Sequence, residues 1–350
     1  EVNFAGTAFM PETKAKVTNF AGTTQVEGEN EVFGIPAIGL SVPVGEGLTN
    51  WRFGLAAYGV SGLGVDYKDT SLDNQTFYNF GPMGQFPMVS GEYTSLQIMK
   101  FAPSVAFQPL PNLSLGLAVH IDYGGLDLRS GTAIGYGYGF QPGLIYNLTN
   151  SLTFGMTYVS AQEIDHNRVV DFDGDGTLDT LTLASPQQLG FGLAYDFWGG
   201  KALVETNAKW INWSDAKGYD DFDWDDQWVL SIGVEIEPVE NFFLRAGWNY
   251  GEQPVKEHDG FIGASQVTVQ GKTMPAYYYE TFRTIGFPAI VEHHLTLGLG
   301  YKVSDRFSVH FGYMHAFEET FTEKGTDMTG QPVELESTLK ESSLDFGLTW

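Results

Sequence analysis

The chain has 350 residues, with 43 acidic side chains against 18 basic ones and a formal charge of −25. That balance disfavours nucleic-acid binding, which depends chiefly on a basic surface meeting phosphates, and the lack of cysteine excludes a disulfide framework or a thiolate metal site. Hydrophobic residues at 43% and aromatics at 15% are too many for a disordered chain, and no uncharged apolar run of about 18 residues exists to make a membrane helix.

A mean hydropathy of −0.13 reads as soluble, but that average cannot detect a transmembrane β-barrel, whose lipid-facing and lumen-facing residues alternate and cancel. Alternation runs along nearly the whole chain. From Leu113 the odd positions Leu113, Leu115, Leu117, Val119, Ile121 and Tyr123 are apolar, with Ser114, Gly116, Ala118, His120 and Asp122 between them. Tyr136, Tyr138 and Phe140 interleave with Gly135, Gly137 and Gly139. The period returns at Leu152-Phe154-Met156-Tyr158, at Trp228-Leu230-Ile232-Val234 and at Leu295-Leu297-Leu299-Tyr301. A two-residue period places one set of side chains on each face of a strand.

About fourteen strands are predicted, beginning near residues 2, 32, 50, 93, 112, 133, 151, 179, 201, 226, 241, 290, 306 and 339. Tight turns such as Pro238-Val239-Glu240-Asn241 alternate with mostly longer connections near 11–31, 61–92, 163–178, 212–225, 252–289 and 319–338. Short turns on one side and long loops on the other is the outer-membrane barrel pattern, and an even strand count leaves both termini on the short-turn side. The chain ends in a strand, Leu344, Phe346, Leu348 and Trp350. The expected fold class is therefore all-β, a single antiparallel transmembrane β-barrel domain over residues 1–350 in a bacterial outer membrane. The alternative, a soluble β-sandwich, fits less well, because one face is almost pure Leu, Phe, Tyr, Val and Trp on strand after strand.

Three local patterns point to sites. Asp171, Asp173, Asp175, Thr177 and Asp179, with Gly174 and Gly176 among them, match a calcium-loop spacing in which Thr177 offers its carbonyl. Position twelve is Thr182 rather than Glu, so the expected affinity is weak, on the order of 10⁻⁴ to 10⁻³ M; the bland counterpart is an Asp-Gly hairpin turn. Calcium would be structural, and no cofactor is required. Phe77, Tyr78, Phe80, Phe86 and Met88 in one loop, and Tyr277, Tyr278, Tyr279, Phe282 and Phe287 in another, either form an apolar groove for a ligand or pack together to close the mouth. Gly59, Gly62 and Gly64 mark either a strand kink that opens the wall or a glycine-rich strand end. Alternation turns Arg245, Glu235, His120, Asp122, His310 and Asp345 toward the lumen, and the run from Asp215 to Asp226 reads as a solvated outer loop. No Gly-x-Ser-x-Gly elbow or comparable signature accompanies the seven histidines, so no enzyme is expected.

Four segments resemble the long-chain fatty acid outer-membrane transporters, the FadL family with its aromatic-hydrocarbon channels. They are Phe53-Gly54-Leu55-Ala56-Ala57-Tyr58-Gly59 with Gly62 and Gly64, Lys209-Trp210-Ile211-Asn212-Trp213-Ser214 with Trp224 and Trp228, Leu244-Arg245-Ala246-Gly247-Trp248-Asn249-Tyr250, and His294-Leu295-Thr296-Leu297-Gly298-Leu299-Gly300-Tyr301 with Gly312-Tyr313-Met314-His315. The resemblance implies passive uptake of hydrophobic small molecules such as fatty acids, by extracellular capture, passage into the barrel and lateral release at the third-strand kink. It also implies a monomer surrounded by lipid and lipopolysaccharide. The family's N-terminal plug and its Asn-Pro-Ala motif are not in this sequence, which leads to the expectation of an open lumen. The competing expectation is a general water-filled porin for small solutes.

Overall fold

The computed structural model describes residues 1–29, 32–45, 48–72 and 91–350. The wall begins with β1 (Val2–Asn19), which also pairs with the short β2 (Gly22–Glu27), and continues through β3 (Phe33–Val44), β4 (Leu48–Asp66), β5 (Tyr93–Leu110), β6 (Leu113–Asp127), β7 (Ala133–Asn147) and β8 (Leu152–Val159). A separate hairpin of β9 (Gln162–Val170) and β10 (Asp179–Ser185) interrupts it. The wall resumes with β11 (Gln187–Phe197), β12 (Ala202–Asn212), β13 (Gln227–Val239) and β14 (Phe242–Gly251). Next come the small β15 (Phe261–Ile262), β16 (Gln266–Val269) and β17 (Lys272–Pro275), a short helix Ala276–Thr281 and a π-helical turn Phe282–Gly286. The last wall strands are β18 (His293–Ser304), β19 (Phe307–Thr326) and β20 (Pro332–Thr349). β20 pairs with both β19 and β1, which closes fourteen antiparallel strands into a barrel.

Closure satisfies the main chain without water, the condition for crossing a bilayer with strands. The outward face carries the apolar set read from the sequence: Leu297, Phe311 and Leu344 are 52%, 55% and 56% exposed. Such side chains belong against acyl chains rather than water, so this is a transmembrane barrel of the bacterial outer-membrane type.

Above the bilayer the pattern inverts. In β1 the outward positions change from Val2 and Phe4 to Lys14 and Lys16, while the inward Ala15 and Val17 become buried. In β20 Glu334 and Glu336 turn outward over the buried Val333 and Leu335, and Lys16 Nζ lies 2.9 Å from Glu336 Oε2 across the pair. This inversion corrects two sequence readings: of the connections expected at 11–31 and 319–338, residues 11–19, 319–326 and 332–338 are upward extensions of β1, β19 and β20, and 22–27 form β2. The strand expected near 179 is also corrected. It belongs to the inner hairpin, and the eighth wall strand is β11, because β8 turns inward after Ser160.

Apolar residues from the tops of the inward faces, from β9 and β10, and from residues 213–224 and 255–291 meet in one buried core at the extracellular mouth. Among the described residues the upper lumen is therefore filled, in place of the open lumen expected from the sequence.

Candidate functional site

The wall has a break between β3 and β4. The two strands pair from Ala37 opposite Tyr58 downward, but above that point Phe33, Gly34, Ile35 and Pro36 pair with β1 alone. β4 continues upward paired only with β5, and its register slips between Gly59 and Ser61, so Val60 bulges. Glu29 N donates to Asp66 O at 2.9 Å and bounds the opening above. Glycine is required at its lip: a Cβ on Gly59 would stand 2.5 Å from Ile35 Cγ2, and one on Gly64 2.9 Å from Thr94 O. Gly62 lies on the same stretch, opposite Gln97. All three glycines singled out in the sequence thus border the break.

Below the mouth the lumen is spacious, with charged and polar side chains set among small and apolar ones. One cavity of about 690 Å³ is bordered by Glu205, Asn207, Arg245, Thr296, His310 and Asp345. A second of about 740 Å³ is bordered by Gln141, Thr157, Gln188, Asn207, Lys209 and Ser231. Alternation placed the charges correctly, and cross-strand register brings them together. Arg245 Nε donates to Glu235 Oε2 at 2.6 Å, its guanidinium lies 3.2 Å from His310 Nδ1, and Thr7 Oγ1 donates to Asp345 Oδ1 at 2.5 Å. His120 and Asp122 are buried higher up beside Lys100, whose Nζ lies 3.6 Å from Asp122 Oδ2 and donates to Gln162 Oε1 at 2.5 Å.

The mouth is closed by aromatic packing. Tyr277, Tyr278, Tyr279, Phe282 and Phe287 are all buried on the short helix and the turn after it. They meet Trp213, Tyr219, Phe222 and Trp224 from the acidic loop: Phe222 lies 5.1 Å from Phe282, and Trp213 4.9 Å from Trp224. Asp215, Asp220, Asp225 and Asp226 of that loop are exposed, Asp221 and Asp223 are half-buried and hydrogen-bonded, and the aromatics between them fold inward. Phe77, Tyr78, Phe80, Phe86 and Met88 lie outside the described residues.

A charged node locks this cap. Arg283, with no exposed side-chain surface, pairs with Glu280 at 2.5 Å and Glu323 at 3.1 Å, and donates to the carbonyls of Phe222 and Lys256 at 2.7 and 2.5 Å. His258 Nδ1 lies 3.0 Å from Glu280 and its Nε2 2.8 Å from Asp223. The hydrogen bond to Glu280 holds the imidazole pKa above its ordinary value, against desolvation and the nearby Arg283. Nothing in the sequence flagged this node, because its members come from segments far apart in the chain.

The calcium-like loop is the tip of the β9–β10 hairpin. Asp171, Asp173 and Asp179 bring carboxylate oxygens within 4.8 Å of one another. Asp171 accepts from the N–H groups of Gly174 and Gly176 at 2.7 and 2.8 Å, and Thr177 N donates to Asp175 at 2.7 Å. A cation already serves the cluster: Lys272 Nζ lies 2.8 Å from Asp179, 3.0 Å from Asp173 and 4.0 Å from Asp175. Its hydrogen bond holds the Asp173 pKa below the ordinary value. A metal ion would fit these donors only with the lysine withdrawn.

No family model matches the chain, and no curated protein sequence matches it. Solved structures do. The Pseudomonas putida toluene transporter TodX superposes with a TM-score of 0.66 at 16% identity, covering 100% of this chain and 90% of that one. The chain has the fold of a FadL-type transporter. A Pseudomonas aeruginosa FadL homologue gives 0.67 at 14% identity with the same coverage. The Ralstonia pickettii toluene transporter TbuX gives 0.62 at 13%, covering 100% and 89%. Each shares the FadL-type barrel over the full length of this chain, and each is named for transport or for the FadL family rather than for an enzymatic reaction.

Proposed function

We propose that this barrel takes up hydrophobic small molecules across the outer membrane and releases them sideways, through the break between β3 and β4, into the bilayer. The break carries the reading. Main-chain groups without a ladder partner are costly in a membrane wall, and here a bulge and close-packed glycines maintain such a gap between β3 and β4. An apolar solute leaving there avoids the polar lumen below. The similar structures named as toluene transporters support the same solute class, and long-chain fatty acids extend it. The capture aromatics at 77–88 and the calcium loop belong to this reading as the entry groove and as a rigid loop tip. The barrel works as a monomer surrounded by lipid and lipopolysaccharide.

One observation favours a second reading. The lower lumen is wide, and the Arg245, Glu235 and His310 set gives it a polar lining, as a porin for small solutes requires. Reconstituted protein given a fluorescent long-chain fatty acid and a small sugar separates the two. Fatty acid binding and transfer without sugar flux, both reduced by Gly59→Val, supports lateral uptake. Sugar flux without fatty acid binding overturns it in favour of the porin.

A further inference from the structure

The wall has another break, and its inner side is stoppered. The β7–β8 ladder covers only residues 143–147 of β7, and two further bonds, Ser160 N to Phe140 O and Phe140 N to Ser160 Oγ, both at 3.0 Å, seal it above. There β8 ends and the chain turns into the lumen. β7 continues upward to Ala133, paired with β6 on one edge. On its other edge no strand pairs with it above Phe140 among the described residues; the next wall strand, β11, begins at Gln187 beside the top of β8. Phe140 presents its N–H and carbonyl to that edge, so by alternation Tyr138, Tyr136 and Ile134 do too.

The intervening hairpin does not mend the edge. It lies across the inner face of β7, on a bed of glycines. A Cβ on Gly137 would meet Ile164 Cγ1 at 2.9 Å, one on Gly124 would meet Ile164 Cδ1 at 2.8 Å, and one on Gly135 would meet Ile164 Cγ2 at 2.7 Å. Ile164, fully buried, is thus a knob in a socket of three glycines. A Cβ on Gly139 would meet Gln162 Cγ at 2.5 Å. Among the described residues no β ladder joins β9 to the wall; against the wall it is held by packing, by Ser160 N to Phe140 O, and by side-chain bonds such as Lys100 to Gln162 and His166 to Ala133 O, while its only ladder is to β10.

Beneath it lies a buried polar set: Lys100 Nζ stands 3.6 Å from Asp122 Oδ2 and 3.4 Å from His120 Nδ1, and His166 Nδ1 lies 3.0 Å from the Ala133 carbonyl. The larger lumen cavity reaches Gln141, Val159 and Gln188, at the inner sill of the break. Outside stand Ile134, Tyr136 and Tyr138, up to 69% exposed and apolar enough to meet lipid.

We propose that the break above Phe140 and Ser160 is a second lateral portal for small uncharged apolar solutes, with the Gln162 to Ile164 segment of β9 as its movable stopper. The inference rests on the uptake reading, but names a different exit and a different gate.

The cysteine-free chain makes a lock simple to read. Gly139→Cys combined with Gln162→Cys ties the stopper to its bed. The assay is entry of N-phenylnaphthylamine, an uncharged apolar dye that an intact lipopolysaccharide leaflet excludes, into cells expressing the full chain. The oxidised pair, its cross-link verified on a gel, is expected to slow entry about fivefold relative to wild type, with recovery on reduction, as for a blocked gating step. Gly137→Val, which pushes Ile164 out of its socket, is expected to raise entry, with heat-shifted gel mobility showing that the barrel is folded. Dye entry in wild type that the verified lock does not slow, or that the folded Gly137→Val does not raise, overturns the portal and leaves the uptake reading standing. No dye entry in wild type overturns both.

Discussion

The Lys272 ammonium stands 2.8 Å from Asp179, a member of the loop whose spacing resembles a calcium site, so one hairpin tip is held by a lysine from another. Asp179 and then Asp173 hold the lysine pKa above its ordinary value. Calcium would have to displace that amine. Lys272→Ala is therefore expected to bind calcium about tenfold more tightly than wild type, since a competing cation is gone while the donor set stays. Titration calorimetry on both proteins checks this, and equal affinities would show that the lysine does not compete.

His258 gives the cap a pH dependence whose sign follows from its partners. Its pKa is raised in the folded protein by Glu280, with Asp223 adding to this. Its stabilising contribution is therefore fully present below the unfolded value of about 6.5 and is lost as pH rises through the higher folded value. Thermal unfolding followed by the fluorescence of Trp213 and Trp224 should show the cap loosening at alkaline pH. His258→Phe should flatten that dependence in the same range.

Arg283 neutralises two carboxylates that are themselves shut away from water, Glu280 and Glu323. Arg283→Met leaves them facing each other, which should destabilise the cap by about 3–5 kcal/mol. Adding Glu323→Gln should recover part of the loss, because one uncompensated charge is then removed. The barrel itself, held by its ladders, should keep its gel mobility while the tryptophan signal of the cap changes.

Tyr278 lies in the aromatic core of the mouth, 8% exposed and edge-on to Tyr277 at 5.7 Å. Truncation to Ala should cost roughly 3–5 kcal/mol of cap stability, as for other buried aromatics. Chemical denaturation read through the same tryptophans checks the figure. A loss of fatty acid binding without a loss of stability would instead mark Tyr278 as a ligand contact.

Within the bilayer, sequence alone determined the architecture. Leu113 to Tyr123 had to alternate because a strand there meets lipid on one side and a wet lumen on the other, and that contrast is written in every second residue. The same rule placed Arg245 and His310 on the inside before any contact was known. Above the bilayer the rule lost its meaning. Lys16 and Glu336 point outward into water while Val17 and Leu335 point inward to a core, so strands there carry the opposite pattern and read as loops.

Tertiary structure alone decided what the loops do. Gly135, Gly137 and Gly139 look in sequence like filler between tyrosines. Only in three dimensions do they become the bed for Ile164 and Gln162 of β9, since a glycine's empty space takes meaning from whatever approaches it. The partnership of Arg283 with Glu323, forty residues away in the chain, and that of Lys272 with Asp179 were likewise invisible. Electrostatic pairing depends on distance in space, and periodicity reports only which way a side chain faces.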